Sequence, residues 1–181
     1  RPFFAVLGTF ERFDWPNAAA QWRIVRIGAP IGLSIFLEMA VFSVISLMVG
    51  QIGVAQLAAH SVAGNVNWLT YVLPMGLGAA AGIRVGYFLG RSDYVAARYS
   101  AATAMKLALV YGVLVSLLLV LFRAELVALY TRDAAVIPTA LALVVFVAIY
   151  QIVDDANAVA IGALRGYKDT QAPMVFGLIG F

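Results

Sequence analysis

The sequence predicts an all-α integral membrane protein with about four complete transmembrane helices and the start of a fifth. Of its 181 residues, 64% are hydrophobic and only 12% are charged, and the mean hydropathy is +0.95. A water-soluble domain carries about 25% charged residues, so most of this surface must face lipid. The apolar runs are long and lack the alternation of period two that membrane-spanning strands require, which indicates helices.

Four apolar runs are each long enough to cross about 30 Å of hydrocarbon as a helix. They cover approximately residues 27–49, 61–83, 101–122 and 136–164, and a fifth run begins near residue 173 and continues to 181. Residues 1–26 mix arginine, tryptophan and polar side chains, and we interpret them as an interfacial or cytoplasmic linker. The chain begins without methionine and stops inside an apolar run, so we expect it to be part of a longer protein.

Basic residues are divided unevenly between the two sides of the predicted spans. Only Arg123 and Arg132 lie on the second side, together with the connection 51–60 that holds the lone histidine, His60, for which we expect a structural hydrogen bond. The other ten are Arg1, Arg12, Arg23, Arg26, Arg84, Arg91, Arg98, Lys106, Arg165 and Lys168. The positive-inside rule places these ten in the cytoplasm. Their scatter at span ends argues against a nucleic-acid partner, and the absence of cysteine excludes disulfides and thiolate metal sites.

Glu38 is the only charged residue in the first span. A carboxylate near the centre of a membrane helix costs about 2.5–3.5 kcal/mol on insertion scales, and such residues usually serve a function. Ser34 lies one turn away on an otherwise apolar surface. Two interpretations remain open for Glu38: a protonatable or cation-binding group that faces a cavity, and a structural acid that bonds a neighbouring helix.

Two adjacent aspartates interrupt the fourth span within QIVDDANAVAIGALRGYKDT. On a helix, Tyr150, Asp154 and Asn157 share one face, because they are four and three residues apart. Asp155 is turned about 100° away, towards the cavity rim or a neighbouring side chain. We therefore predict a cation-binding set of Glu38, Asp154, Tyr150 and Asn157, with Asp155 as a further candidate. Oxygen ligands suit Na⁺ as well as a proton, and the residues leave that choice open.

The second span carries glycines at every fourth position, together with a proline. Pro74, Gly78, Gly82, Gly86 and Gly90 follow this spacing, which predicts close helix packing. Pro74 also frees the backbone carbonyl of Thr70, which can bend the helix or contribute to a site. The polar residues nearest the other end of this span are expected to touch an aqueous cavity: Asn65, Asn67, Thr70 and Tyr71. The first three of these, together with Ser34 of the first span, are candidates for lining a substrate cavity.

Several segments in this order resemble the multidrug and toxic compound extrusion (MATE) transporters, in particular their bacterial NorM-type branch. They are GAPIGLSIFLEMAVF, IGVAQLAAHSVAGNV, LPMGLGAA, RVGYFLGRSD, LYTRDAAVI and, above all, QIVDDANAVAIGALRGYKDTQAP. The resemblance covers residues from about 23 to the end and corresponds to the start of the second six-helix lobe. It implies twelve helices in two lobes around a central cavity in the bacterial cytoplasmic (inner) membrane, with the N-terminal lobe as an intramolecular partner.

The resemblance also implies export of amphipathic, often cationic drugs in exchange for Na⁺ or H⁺, with no other cofactor and no metal beyond Na⁺. It implies that Glu38 and Asp154 bind the coupling ion, with Tyr150 one turn before Asp154. Asp155 and Asn157 depart from the family's more usual residues. Two alternatives are a lipid-linked oligosaccharide flippase of the same superfamily and a membrane-embedded enzyme. The enzyme is disfavoured because the adjacent aspartates face different ways and no nucleophile–histidine pair is available.

Overall fold

Residues 17–169, together with residues 171 and 173, are described by a computed structural model. Five helices occur within residues 17–169, and their bounds are α1 Ala18–Ile52, α2 Val54–Gly90, α3 Tyr94–Leu121, α4 Arg123–Tyr130 and α5 Ile137–Gly166. No β-strand occurs among these described residues, which confirms the all-α prediction. Most of the predicted linker and of the fifth span, residues 1–16 and 174–181, lies outside them.

Four of the helices, α1, α2, α3 and α5, are long and apolar enough to cross a membrane. The shortest has 28 residues, which corresponds to about 42 Å at 1.5 Å per residue. Each helix is therefore longer than the hydrocarbon core of about 30 Å. The prediction of a multi-pass membrane protein is confirmed at the level of helix length and composition.

The connections between the spans are shorter than their sequence predicted. Gly53 alone separates α1 from α2, in extended backbone geometry, so His60 lies within α2 and not in a loop. The predicted connection after the third span contains a helix of its own, α4. The predicted spans covered only the apolar part of each helix. The helices extend beyond these parts because good helix-forming residues, such as those of VAQLAAH, flank them.

Helix direction follows from which residues meet. Tyr111 of α3 contacts Thr70 of α2, and Gly112 approaches Asp155 of α5, whereas α3 residues nearer its start pack with later residues of α2. Helix α3 is therefore antiparallel to both neighbours, and α2 and α5 are parallel. Arg91 after α2 and Lys168 after α5 consequently lie at the same end of the bundle. This agrees with the topology predicted from the basic residues.

Two turns at that shared end have the same backbone geometry. Asp93 N–H donates to the carbonyl of Phe88 at 2.9 Å, and Asp169 N–H donates to that of Leu164 at 3.0 Å. Ser92 and Lys168 adopt left-handed φ angles of 58° and 62°. Such a turn satisfies carbonyl groups that a helix end leaves unpaired. The segments GRSD and GYKD thus form the same capped turn at the ends of α2 and α5.

Helices α2 and α5 pack backbone to backbone over two turns. A Cβ atom added at Gly78 would lie 2.6 Å from the carbonyl oxygen of Ala158, and one added at Gly82 would lie 2.7 Å from that of Gly162. A Cβ on Gly166 would lie 2.6 Å from the carbonyl oxygen of Gly82. No side chain fits at these positions, so the prediction of close packing is confirmed at Gly78 and Gly82. It is wrong for Gly90, where nothing lies within 4 Å of an added Cβ, and at Gly86 the contact of 3.7 Å is an ordinary one.

Helix α1 stands apart from this bundle. It has no buried residue, and it contacts α2 near the turn that joins them. There the Phe42 and His60 rings lie 5.5 Å apart between centroids, and Ser46 Oγ lies 3.4 Å from His60 Nε2. The expected hydrogen bond of His60 is thus present. Further from the turn, α1 diverges and leaves a space between itself, α2 and α5.

We expect Gly78→Ala to destabilise the protein and Gly76→Ala to leave it unchanged. The added methyl of Gly78→Ala meets the α5 backbone, whereas nothing lies within 4 Å of a Cβ at Gly76. Overpacking of this kind costs about 1–3 kcal/mol. The measurement is the thermal unfolding midpoint of each purified variant in detergent. Equal midpoints for the two variants would contradict the packing described for α2 and α5.

Candidate functional site

A cavity of about 920 Å³ lies between the diverging helix α1 and the parallel pair α2 and α5. Carboxylate, amide, hydroxyl and aromatic side chains converge on it. Its walls are formed by Glu38, Met39, Val41, Phe42, Ile45 and Ser46 of α1, by His60, Ser61, Gly64, Asn65, Asn67, Trp68 and Tyr71 of α2, and by Tyr150 and Asp154 of α5. A volume of this size suits a drug-sized organic molecule.

The two predicted carboxylates line opposite walls of this cavity. Glu38 comes from α1 and half-buried Asp154 comes from α5, and Asp154 experiences the negative charge of Glu38. Within residues 17–169, no cationic side chain pairs with either of them. Glu38 itself is exposed. Two unpaired like charges that line the same cavity repel each other. A cation between them, either a proton or a metal ion, removes that repulsion.

Further oxygen atoms face the same space. Asn67 Oδ1 is buried and has no hydrogen-bond partner among the described residues, although Asn67 lines the cavity. A buried acceptor without a donor is uncommon and costs free energy. The hydroxyl-bearing side chains of Tyr71 and Tyr150 line the cavity too, and Tyr71 also experiences the charges of both carboxylates. These neutral oxygens fit the ligand preference of Na⁺.

Aromatic rings cover much of the remaining wall. Trp68 and Tyr71 are neighbours on α2 with centroids 6.3 Å apart, and Phe42 faces them from α1. Aromatic faces attract organic cations, and they also supply apolar contact area. The combination of carboxylates and rings therefore suits a molecule that is both cationic and apolar.

Four residues predicted for the site do not line the cavity: Ser34, Thr70, Asn157 and Asp155. Ser34 Oγ donates to the Pro30 carbonyl of its own helix at 2.9 Å. Thr70 Oγ1 donates to Gln151 Oε1 at 3.0 Å, so this hydroxyl is directed towards α5. Asn157 is exposed and lies one turn beyond Asp154. Asn65 and Asn67 do line the cavity, as their prediction required.

Asp155 is separated from the cavity, as the helical-face argument predicted. Its side chain is fully buried and accepts a hydrogen bond from Gln151 Nε2 at 2.7 Å. Of the two positions left open for it, pairing with a neighbour is therefore the one observed, and the cavity rim is not. The structure thus brings together Glu38, Asp154 and Tyr150 and leaves Asp155 behind them.

Some residues near the site were not singled out from the sequence. Phe42 and Trp68 line the cavity, but aromatic residues in a membrane span carry no signal that separates cavity from lipid. Tyr111 takes part in a partly buried hydrogen bond and Gln151 in a buried one. The sequence does contain an indication of both residues, because each is a polar side chain in an apolar run. For Tyr111 there is a second indication, since Pro74 leaves a backbone carbonyl group that needs a hydrogen-bond donor.

Neither a catalytic centre nor a multi-ligand metal centre emerges from the described residues. No group of three or more His, Cys, Asp and Glu side chains occurs there that could hold a metal ion. The cavity instead is lined by two carboxylates, those of Glu38 and Asp154.

Comparison with known proteins agrees with this architecture. The family model named MatE matches residues 30–181. The chain is 38% identical over 172 residues to the multidrug resistance protein PmpM of Pseudomonas aeruginosa, covering 95% of this chain and 36% of PmpM. It is 39% identical over 173 residues to MdtK of Edwardsiella ictaluri, covering 96% of this chain and 37% of that one.

A third relative, the multidrug resistance protein NorM of Vibrio cholerae, is 40% identical over 163 residues, which are 90% of this chain and 36% of NorM. The chain therefore spans little more than a third of the length of these relatives. Their names are those of resistance proteins and not of enzymes, in agreement with the sequence prediction. Since the family model covers most of the chain and the relatives match nearly all of it, this chain belongs to the MatE family of membrane proteins.

Proposed function

We propose that the complete protein exports amphipathic, often cationic drugs across the bacterial cytoplasmic membrane in exchange for Na⁺ or H⁺. The observation that carries this proposal is the pair of carboxylates, Glu38 and Asp154, which face one another across an aromatic-walled cavity. The relatives of this chain are bacterial proteins named for multidrug resistance, which supports the substrate class.

The exchange follows from competition for negative charge. An organic cation between Glu38 and Asp154 and a coupling ion at the same carboxylates would each neutralise the same repulsion. The cavity then favours one cation at a time. Once a first cation has neutralised the carboxylates, a second cation gains much less electrostatic free energy by binding. Release of a drug is thereby coupled to entry of the ion, which is the requirement for antiport.

The aromatic residues determine what kind of drug fits. Phe42, Trp68 and Tyr71 offer ring faces instead of a fixed set of hydrogen-bond donors. Apolar and cation–π contacts depend little on the exact shape of the ligand. The site therefore accepts many planar or bulky organic cations with moderate affinity, as a drug exporter requires.

Transport requires more than the residues present here. Alternating access depends on two structural units that move against each other around a central site. The chain covers little more than a third of its relatives, so we infer that an N-terminal lobe of the same protein provides the opposing unit. The described helices contribute the cavity between α1, α2 and α5, with Glu38 and Asp154 as its ion site.

We expect Asp154→Asn and Glu38→Gln in the complete protein each to reduce ion-driven export of ethidium at least tenfold. Each substitution removes one of the charges that the exchanged cations share, and it changes side-chain size little. Asp133→Asn is the matched control, because this exposed residue lies outside the cavity and asparagine keeps the Oδ1 acceptor for Ala135 N–H. Export is measured in inverted vesicles. Full ion-coupled export by both cavity variants would overturn the proposed role of the carboxylates.

We also expect a cation gradient alone to drive export. Ethidium efflux is measured in proteoliposomes under a Na⁺ gradient without a proton gradient, and then under a proton gradient without a Na⁺ gradient. Only one of the two gradients needs to drive efflux, and the gradient that does so identifies the coupling ion. Efflux that responds to neither gradient would contradict antiport, and movement of a lipid-linked oligosaccharide in place of ethidium would favour the flippase alternative.

A further inference from the structure

A chain of hydrogen bonds connects α3, α2 and α5 behind the cavity. It begins at Pro74 of α2, which is fully buried and has no N–H, so the carbonyl of Thr70 lacks its partner within the helix. Tyr111 Oη of α3 donates to this carbonyl at 2.8 Å. The side chain of another helix therefore satisfies the group that the proline left unpaired.

The chain continues from the side chain of Thr70 into α5. Thr70 Oγ1 lies 3.0 Å from its acceptor Gln151 Oε1, and the same hydroxyl lies 2.9 Å from the carbonyl oxygen of Asn67 in its own helix. Gln151 Nε2 donates to Asp155 Oδ1 at 2.7 Å. Gln151 and Asp155 are both fully buried. Because a buried amide that loses its partners costs free energy, these bonds strongly favour one orientation of the Gln151 side chain.

A glycine in α3, Gly112, makes room for these side chains. A Cβ atom at Gly112 would lie 3.0 Å from Ile152 Cα and 3.1 Å from Asp155 Oδ2. Glycine at this position thus allows the α5 backbone and the Asp155 carboxyl group to approach α3. Tyr111, the adjacent residue, is therefore held beside Thr70 by the same close contact.

The geometry of α5 connects these bonds to the ion site. Gln151 and Asp155 are one turn apart on the face that packs against α2 and α3, and Tyr150 and Asp154 occupy the face turned about 100° from it. A rotation of α5 that moved Asp154 away from the cavity would break the bond between Thr70 and Gln151, whereas the bond between Gln151 and Asp155 lies within α5 and would turn with it. The buried face therefore sets the direction in which Asp154 points.

We propose that Gln151 and Tyr111 are positioning residues for cation exchange, because their hydrogen bonds hold the proline interruption of α2 and the Asp154 face of α5 in one fixed relation. This inference rests on the proposed function. Neither side chain lines the cavity, so each acts through another group: Gln151 through the rotation of α5, and Tyr111 through the carbonyl of Thr70.

The test uses the complete transporter in proteoliposomes with Tyr111→Phe, Gln151→Met and the double variant. Tyr111→Phe deletes one hydroxyl, and Gln151→Met keeps the side-chain length but removes both hydrogen bonds. The measured quantity is the Na⁺ concentration, or the pH, at which ethidium export is half-maximal, whichever cation drives the unmodified protein. This quantity does not depend on how much folded protein each sample contains.

We expect each single variant to shift the half-maximal cation concentration about three- to tenfold towards weaker binding, as loss of a buried hydrogen bond predicts. The double variant is expected to shift it little more than the larger single shift, because both changes break one network. Tyr99→Phe is the control: it deletes the same hydroxyl from an exposed residue of α3, and no shift is expected.

An unchanged half-maximal concentration in Tyr111→Phe and Gln151→Met, with only a lower maximal rate, would overturn the inference and leave the network a purely structural role. Shifts that multiply in the double variant would overturn it too, because the two residues would act independently. If Gln151→Met does not reach the membrane, Tyr111→Phe alone decides. Asp154→Asn separates the two claims: if it exports ethidium with full ion coupling, the proposed function itself fails.

Discussion

The close approach of helices α2 and α5 is the constraint on which the rest of the structure depends. At Gly78, Gly82, Gly162 and Gly166 the two backbones meet without intervening side chains. Lipid tails are as apolar as leucine, so membrane helices associate through such tight packing and through hydrogen bonds. With α2 and α5 in contact, the rotation of each is fixed, and α3 completes the bundle through Gly112 and Tyr111.

Fixing the rotation of α5 has opposite consequences for its two aspartates. Asp155 is directed into the bundle, where Gln151 bonds it, and Asp154 is directed into the cavity, where it faces Glu38. Insertion of either acid into a membrane carries a cost. For Asp155, the hydrogen bond from Gln151 to Oδ1 offsets part of this cost, while Oδ2 has no partner among the described residues. In the proposed function, a cation bound between Asp154 and Glu38 would offset the cost at those two residues.

The separation of the two aspartates could be predicted from the sequence, because consecutive residues of a helix differ by 100° whatever surrounds them. Close packing at Gly78 and Gly82 could be predicted from their spacing, but their partner could not. Any apolar helix can pack against a helix face of glycines. Only the tertiary structure shows that the partner is α5, at Ala158 and Gly162. The pairing of Glu38 with Asp154 across one cavity depends in the same way on helix arrangement.

Thr70 and His60 show where the sequence was insufficient. Thr70 was expected in the cavity, but its hydroxyl is directed to Gln151, because the rotation of α2 is set by packing against α5 and not by polarity. His60 was expected in a loop, but α2 begins at Val54. Hydropathy marks where a helix contacts lipid and does not mark where the helix ends. Hydrogen bonds between distant positions, such as that of Tyr111, have no local sequence signature.

The central claim is that a drug and the coupling ion compete for Glu38 and Asp154. It is tested most directly by calorimetric titration of the purified complete protein with tetraphenylphosphonium over a range of Na⁺ concentrations and pH values. The account predicts that affinity for this organic cation falls as the coupling ion becomes more abundant, and that the dependence disappears when Glu38→Gln and Asp154→Asn are combined. An affinity that is unaffected by both Na⁺ and pH in the unmodified protein would contradict the account.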